Sequence, residues 1–320
     1  MPWAKGYWRF GQEHIPALRT CIIGGLETER LVAMAEQQST QELGFDPDAL
    51  RAKYREERDK RLRSDGNEQY FEVKGDFSRY VDDPYIDEVL EREPLTDDVD
   101  VIVVGGGFGG LLTGARLTEA GVGRIRLIEK GGDFGGTWYW NRYPGAACDV
   151  ESYVYLPLCE ELNFVPKEKY THAPEILAHS RAIGEKFNSY EDARFQTDGE
   201  GMHWNEEIQR WTVTTNRGDA MTAKYVCMAN GPLNRPKLPG IKGIDTYQGH
   251  TFHTSRWDYA YTGGGPEGGL TGLADKRVGI IGTGATAIQC VPHVARSAQE
   301  LHVFQRTPSS VDVRANRPTD

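Results

Sequence analysis

The hydrophobic and polar positions divide the chain into two stretches of different character. Residues 1–97 are rich in charge and poor in glycine, and within them Asp46-Pro47-Asp48 precedes acidic and basic side chains at helical spacing as far as Arg58. A capped start followed by this spacing predicts a solvated, salt-bridged helix. We interpret residues 1–97 as a helical extension and linker that packs on the main body. A role in dimerisation or as a substrate lid is the alternative.

From residue 98 the pattern changes to short, β-branched apolar runs that lead into glycine-rich turns. The run 100–104 predicts a buried parallel strand, 111–117 has helical period, and 124–129 predicts a second strand. The same order of strand, glycine turn and helix recurs from residue 276 and finishes on a strand at 301–304. Each unit therefore has the pattern of a βαβ motif.

The intervening sequence contains a helical stretch near 173–178 and strand candidates at 210–215 and 224–229. Two βαβ units in one chain predict an α/β fold with two Rossmann-like dinucleotide-binding domains and an amino-terminal helical extension. We assign the amino-terminal part of the first domain to 98–240 and that of the second to 241–320.

Charge and composition exclude several classes of protein. The 37 basic and 47 acidic residues give a net charge of −10, which disfavours nucleic-acid binding. Hydrophobic residues at 38% allow a packed core, and apolar runs stay shorter than the ~20 residues of a membrane span. The amino terminus lacks the apolar stretch of a secretory signal. We therefore expect neither a nucleic-acid nor a membrane partner.

The five cysteines are odd in number, far apart in sequence and without a CxxC pair. This spacing predicts neither a disulfide framework nor a metal site, and it favours a reducing cytoplasm. The lack of CxxC near the first glycine-rich turn also counts against a two-nucleotide disulfide reductase, which is one rival interpretation.

The first glycine turn, residues 105–110, satisfies GxGxxG through Gly105, Gly107 and Gly110 between a predicted strand and helix. Such glycines permit a tight turn, close approach of backbone to a pyrophosphate, and close packing of helix on sheet. Glu129 ends the next predicted strand, where its carboxylate can accept hydrogen bonds from ribose hydroxyls. An acid there disfavours a 2′-phosphate, so this turn predicts FAD or NAD rather than NADP.

The second glycine turn, residues 282–287, is a GxGxxA variant whose following strand leads into Arg306 and Thr307. A guanidinium and a hydroxyl at that position suit a 2′-phosphate, which predicts NADPH. The alternative is that Arg306 is an ordinary surface arginine. An acid, Glu129, after the first unit and a base, Arg306, after the second together indicate that the chain binds FAD and NADPH.

A third motif is the aromatic run Trp138-Tyr139-Trp140, which lies in a segment bounded by glycine and proline. Three consecutive aromatic residues are poorly explained by core packing, so we expect them to contact a planar ring system. Asp149 is predicted to be a buried acid near that ring. Ordinary loop packing is the alternative.

Taken together, these motifs resemble those of the Baeyer–Villiger monooxygenases, class B flavoprotein monooxygenases that use FAD and NADPH. The family pattern FxGxxxHxxxW(P/D) reads here as Tyr247-x-Gly249-x-x-x-His253-x-x-x-Trp257-Asp258, with tyrosine in place of the leading phenylalanine. We call residues 247–258 the fingerprint segment. Its aspartate ending separates the chain from related flavin N-hydroxylases and S/N-oxidising monooxygenases.

The resemblance extends from about residue 99 to residue 320 and implies a specific reaction. One oxygen atom of O2 would be inserted next to a ketone carbonyl through a C4a-peroxyflavin, to give an ester or lactone. The amino-terminal extension is similar to that of members acting on large cyclic or polycyclic ketones. The catalytic arginine of relatives lies further on, so we expect a truncated chain. The alternatives are a flavin N- or S-oxidising monooxygenase and a non-catalytic nucleotide-binding fragment.

The resemblance also implies roles for individual residues, none of them in metal binding. Asp149, His253 and Trp257 would serve the catalytic cycle, the last two by coupling domain movement to nicotinamide placement. FAD would be held by Gly105, Gly107, Phe108, Gly110, Glu129, Thr137, Trp138, Tyr139, Trp140, Asp149 and Tyr155. NADPH would be held by Gly282, Thr283, Gly284, Ala285, Thr286, Ala287, Gln289, Arg306 and Thr307. The ketone, the regioselectivity and the oligomeric state are not defined by these motifs.

Overall fold

The structure, a computed structural model, describes residues 44–71, 73 and 75–320. Cys21 and the part of the predicted extension before residue 44 lie outside the described residues. The chain forms two compact units, divided in sequence between Leu62 and Arg63.

The described part of the first unit contains helix α1 (Pro47–Asp59). The Asp46 carboxylate caps it by accepting hydrogen bonds from the backbone amides of Asp48 at 2.8 Å and Ala49 at 3.2 Å. None of its residues is buried, and Lys60, just beyond it, pairs with Glu56 one turn earlier. The predicted solvated helix is therefore confirmed.

The second unit contains the strands and the other helices. The strands are β1 (Tyr70–Phe71), β2 (Asp98–Val104), β3 (Ile125–Ile128), β4 (Ala193–Arg194), β5 (Gly199–Asn205), β6 (Arg210–Thr215), β7 (Ala220–Met228), β8 (Leu238–Pro239), β9 (Arg277–Ile281) and β10 (Glu300–Phe304). The helices are α2 (Phe108–Glu119), α3 (Thr137–Trp140), α4 (Ser152–Tyr155), α5 (Cys159–Leu162), α6 (Ala173–Lys186), α7 (Ser189–Asp192), α8 (Tyr259–Thr262) and α9 (Ala285–Ser297).

A six-stranded sheet with the order β4-β3-β2-β7-β6-β5 forms the centre of this unit. Strand β2 pairs in parallel with β3 and with β7, whereas β5, β6 and β7 form an antiparallel meander. Ile102 and Val103 in β2 are completely buried because the sheet is covered on both faces. The predicted strand–helix–strand order of the first βαβ unit is confirmed.

The second βαβ unit consists of β9, α9 and β10. Its two strands pair in parallel, from Arg277 opposite Glu300 to Ile281 opposite Phe304. Helix α9 buries Cys290 and Val294 in an apolar cluster that also contains Trp257. The α/β fold with two nucleotide-binding units is confirmed, while the predicted domain boundaries remain predictions.

Residues 63–97 differ from the helical extension that was predicted. Apart from short 3₁₀ turns and the pairing of β1 with β8, the described residues there are irregular. They are nevertheless held in place, because the Arg92 guanidinium donates to both carboxylate oxygens of Asp219 at 2.6 and 2.7 Å. The Asp219 side chain is fully buried, so the stretch predicted as a linker is anchored to the sheet.

Among the described residues, none of the helices combines the length and the apolar character that crossing a bilayer requires.

Candidate functional site

The two glycine turns adopt the same backbone conformation. The first glycine of each has a positive φ, +114° for Gly105 and +109° for Gly282. The residue that precedes each helix also matches, with φ −79° and ψ −171° for Gly107 and φ −76° and ψ −172° for Gly284. Glycine offers no side-chain acceptor to the first helical amides, so both helices begin with backbone N–H groups suited to an anion.

The glycines of the first turn are required by the protein's own packing. A Cβ on Gly105 would lie 2.4 Å from the Ala229 carbonyl oxygen, and one on Gly110 would lie 1.8 Å from the Gly105 oxygen. A Cβ on Gly136 would lie 2.6 Å from the Cα of Gly107. Backbone therefore packs on backbone around this turn, which is the close helix–strand approach expected of a dinucleotide-binding loop.

The second turn is open by contrast. A Cβ built on Gly282 or on Gly284 meets no atom within 4 Å. The Thr283 hydroxyl donates to the Thr307 carbonyl at 3.1 Å and accepts from the Gln305 amide at 3.1 Å, which ties the turn to the end of β10. The described protein atoms thus leave a free cradle in front of Gly284, where a ligand's phosphates can approach the backbone.

This contrast gives a prediction for Gly284→Ala. Because its φ of −76° suits alanine and the space is free, the variant should unfold at the same urea concentration as the unmodified protein. The affinity for NADP⁺ should fall about tenfold or more, because the methyl group occupies the phosphate approach.

Isothermal titration of NADP⁺ measures this, with Gly123→Ala as control because Gly123 also has open space around its Cβ position. Unchanged NADP⁺ affinity in Gly284→Ala would contradict the assignment of this turn.

Glu129 follows β3 directly and is buried at 6% exposure beside the first turn. Its two carboxylate oxygens accept hydrogen bonds from the backbone amides of Gly106 at 2.5 Å and Gly131 at 2.7 Å. Burial raises the pKa of this carboxyl, and the two amides oppose that rise. Each oxygen retains a lone pair, so the group can still accept from a ribose hydroxyl.

The aromatic run corrects one prediction. Trp138, Tyr139 and Trp140 are only 7%, 1% and 2% exposed and belong to an apolar cluster, so core packing does explain them. Three consecutive residues can be buried because 137–140 is a single helical turn, α3, surrounded by protein. The Trp138 indole N–H donates to the Tyr155 hydroxyl at 2.9 Å. Their predicted contact with FAD remains a prediction.

Asp149 is exposed, so the prediction that it is buried is wrong. Ala147 is bridged to His172, and the chain then bends at Asp149 and Val150, which are both exposed. Cys148 takes the inward position, with its thiol 3.3 Å from the Ser152 hydroxyl. The Asp149 side chain is consequently open to solvent, and its catalytic role remains a prediction.

The fingerprint segment places His253 and Trp257 around a short 3₁₀ turn. The His253 Nδ1 accepts a hydrogen bond from the Ser255 amide at 3.2 Å, and the Trp257 indole N–H donates to the Thr262 hydroxyl at 3.1 Å. Burial, with help from the nearby Arg256 charge, lowers the pKa of His253 to about 4. Its imidazole is therefore neutral at pH 7, which suits an orienting group better than a proton donor.

The NADPH-side residues occupy two different environments. Arg306 is exposed, and its guanidinium contacts the Gln69 amide oxygen and the Tyr70 hydroxyl. Gln289 instead uses its amide within the protein, accepting from the Tyr143 hydroxyl at 2.7 Å and donating to the Ala147 carbonyl at 2.9 Å. Both assignments remain predictions.

The sequence interpretation missed three residues that organise this region. Arg256 is 5% exposed, and its guanidinium lies 3.7 Å from the centre of the Trp140 ring. Asp83 accepts a hydrogen bond from the Tyr139 hydroxyl at 2.6 Å, and Tyr85 accepts one from the Trp257 amide at 3.2 Å. Arg256 could have been noticed inside the fingerprint segment. Asp83 and Tyr85 carry no sequence signal, since they lie in an irregular segment.

Comparison with known proteins agrees with this geometry. Residues 99–316 match the family described as pyridine nucleotide-disulphide oxidoreductase. A Baeyer–Villiger monooxygenase of Streptomyces coelicolor is 58% identical over 270 residues, 84% of this chain and 45% of its own length.

Two solved structures are also similar. The polycyclic ketone monooxygenase of the fungus Thermothelomyces thermophila superimposes with a TM-score of 0.80 at 42% identity, covering 85% of this chain and 46% of that one. OTEMO in complex with FAD and NADP gives a TM-score of 0.64 at 35% identity, covering 72% of this chain and 42% of that one.

The chain belongs to the family described as pyridine nucleotide-disulphide oxidoreductase. Its curated relatives include Baeyer–Villiger monooxygenases, as the fingerprint segment indicated, among them one of Stachybotrys chlorohalonatus that is 54% identical over 286 residues. The chain spans somewhat less than half the length of those relatives, 45–46% of the two cited here.

Proposed function

We propose that this chain forms the cofactor-binding part of an FAD- and NADPH-dependent Baeyer–Villiger monooxygenase. The observation that supports this most strongly is the pair of glycine turns with the same conformation, one followed by the acid Glu129 and the other by the base Arg306. The fingerprint segment lies between the two turns in sequence. An enzyme with a single nucleotide would not need both.

The first turn and its surroundings fit FAD. The uncapped amides at the start of α2 suit the negatively charged pyrophosphate, and Glu129 is positioned to accept from the adenosine ribose. Gly107 and Gly136 lie so close together that a Cβ on Gly136 would clash with the Gly107 backbone, so the turn presents backbone rather than side chains at this point. When bound, FAD would supply the chemistry of the reaction with dioxygen. The protein would orient the cofactor and exclude water from it.

The second turn fits NADPH. Gly284 leaves a cradle that a Cβ would fill, and Thr307, three residues beyond β10, accepts a hydrogen bond from Thr283 in the same turn. Arg306 contacts an amide oxygen and a phenol hydroxyl, neither of which neutralises its positive charge. That charge is therefore available to a 2′-phosphate, for which a guanidinium is well suited.

We propose a large cyclic or polycyclic ketone as substrate, with O2 as co-substrate. Support comes from the structural match to a polycyclic ketone monooxygenase, which covers 85% of this chain. Residues 99–320 make up only about two thirds of the chain, so that match includes part of the amino-terminal extension. The widely spaced cysteines, of which the four in the described residues are free thiols, support a cytoplasmic location.

Arg306→Ala tests the choice of nicotinamide cofactor. Loss of the guanidinium should weaken binding of NADPH about tenfold or more and leave binding of NADH nearly unchanged, because only NADPH carries the 2′-phosphate. Titration with both cofactors measures the two affinities.

The matched control is Arg277→Ala, an exposed arginine at the opposite end of the same parallel strand pair. Equal weakening of NADPH and NADH by Arg306→Ala would refute the phosphate role.

The proposed function as a whole is tested with the purified protein, FAD, NADPH and a panel of cyclic and polycyclic ketones. We expect a bound-flavin absorption spectrum, ketone-dependent oxygen uptake, and lactone or ester detected by mass spectrometry. Matched amines and thioethers test the alternative of N- or S-oxidation. Absence of flavin binding would overturn the proposal, and oxidation of the amine or thioether in place of the ketone would reassign it.

A further inference from the structure

Residues 81–95, which precede the nucleotide-binding fold in sequence, are anchored to the sheet at their carboxyl end. Arg92 forms its two-pronged ion pair with Asp219, and the Leu95 amide donates to the same carboxylate at 2.7 Å. The Gln196 side chain accepts from the Leu90 amide at 2.9 Å and donates to the Glu88 carbonyl at 3.0 Å. We call these residues the 81–95 segment.

The first residues of the 81–95 segment hold the loop that follows β3. One Asp83 carboxylate oxygen accepts from the Gly132 amide at 3.1 Å and from the Tyr139 hydroxyl at 2.6 Å. Ile86 packs so closely that a Cβ on Gly132 would lie 2.5 Å from its side chain. This loop begins immediately after Glu129, so Asp83 fixes the backbone next to the proposed ribose contact.

Tyr85 joins that loop to the fingerprint segment. The Tyr85 hydroxyl accepts a hydrogen bond from the Trp257 amide at 3.2 Å. Its ring lies edge-on to Tyr139, with centroids 6.0 Å apart, and the Arg142 guanidinium lies 4.0 Å from the Tyr85 ring centre. One side chain therefore contacts both the aromatic run and the backbone of the fingerprint segment.

A second connection lies beside the first. The buried Arg256 guanidinium donates to the Asp82 carbonyl at 3.2 Å while it covers the Trp140 ring. These contacts join residues more than 170 positions apart in sequence, such as Tyr85 and Trp257. The 81–95 segment is thus packed between the loop after β3 and the fingerprint segment.

We propose that the 81–95 segment is a positioning element that couples the loop after β3 to the fingerprint segment, with Asp83 at one end of the connection and Tyr85 at the other. When FAD orders the loop, the Asp83 and Tyr85 contacts hold the Trp257 backbone in place. The coupling to FAD rests on the proposed function, whereas the connection itself is a property of the fold.

Hydrogen–deuterium exchange of the Trp257 amide tests the connection without cofactor. Tyr85→Phe removes the acceptor, so exchange at Trp257 should become about fivefold faster. Asp83→Ala is the stricter test, because Asp83 does not touch Trp257 but should accelerate its exchange in the same direction. The matched control is Asp82→Ala, whose carbonyl rather than its exposed side chain makes the contact with Arg256. Unchanged exchange at Trp257 in Asp83→Ala would overturn the proposed connection between the loop after β3 and the fingerprint segment.

Addition of FAD tests the coupling. In the unmodified protein FAD should slow exchange at Trp257, and in Tyr85→Phe it should still bind, by its spectrum, without that slowing. Equal slowing in both proteins would overturn the coupling. Failure of the unmodified protein to bind FAD would instead overturn the proposed function and with it the FAD-dependent coupling, while the cofactor-free comparison still decides the connection.

Discussion

Gly110→Ala is expected to prevent the second unit from folding stably. The added methyl carbon would lie 1.8 Å from the Gly105 carbonyl oxygen, a backbone atom in a turn whose φ of +114° already requires glycine. Neither partner is a flexible side chain, so relief requires helix α2 to move away from the sheet. We expect a loss of about 3 kcal/mol or more in the free energy of unfolding. Urea unfolding followed by circular dichroism measures it.

The neighbouring Gly109→Ala is the matched control for this experiment. A Cβ on Gly109 would lie 3.5 Å from the Ala229 side chain, an ordinary contact, on the exposed side of the same helix. Alanine is the better helix former, so Gly109→Ala should be neutral or stabilising by about 0.5 kcal/mol. Similar urea midpoints for the two variants would contradict the claim that the backbone contact at Gly110 leaves no room for a side chain.

Asp219→Asn is expected to have the second largest effect, a loss of about 3 kcal/mol in the free energy of unfolding. The Asp219 side chain is fully buried and accepts from the Arg92 guanidinium, the Thr215 hydroxyl and the Leu95 amide. The substitution removes the negative charge and leaves the guanidinium without its partner. Urea unfolding measures the loss. The control is Asp275→Asn, which breaks an exposed ion pair with Lys276 and should lower the free energy of unfolding by no more than about 0.5 kcal/mol.

The same carboxylate makes stability depend on pH. The Arg92 guanidinium holds the pKa of Asp219 well below its usual range. The unfolded state binds the proton more readily, so the stabilisation is fully present above the unfolded pKa of about 3.9 and is lost as pH falls below it toward the folded value. Asp219→Asn should therefore flatten the acid limb of the stability curve. An unchanged acid limb would contradict the ion pair's contribution.

Much of the fold was predictable because its signals are local. The β-branched runs at 100–104 and 210–215 lie in strands in the structure, and the two glycine turns lie between strand and helix. Strand propensity, tight turns and helix starts depend on residues a few positions apart, which a sequence pattern records directly. Glu129 and Arg306 could be singled out for the same reason, by their positions just beyond the second strand of each unit.

Burial was less predictable, as Asp149 and the aromatic run show. The composition of 135–145 suggested a loop, but the structure forms a helical turn there and encloses all three aromatic side chains. Asp149 was expected inside, yet Cys148 occupies the inward position. Which residues of such a segment face the core depends on what packs against it, and that partner comes from elsewhere in the chain.

The sequence by itself determined the two βαβ units, their glycine turns and the opposite charges beyond them, because each depends on neighbours along the chain. Only the tertiary structure decided that the first turn is closed by backbone contacts while the second is open, and that Asp83 and Tyr85 lie against the loop after β3 and the fingerprint segment. Those contacts join residues separated by up to 172 positions, and such pairs are brought together by packing of the whole unit rather than by any local preference.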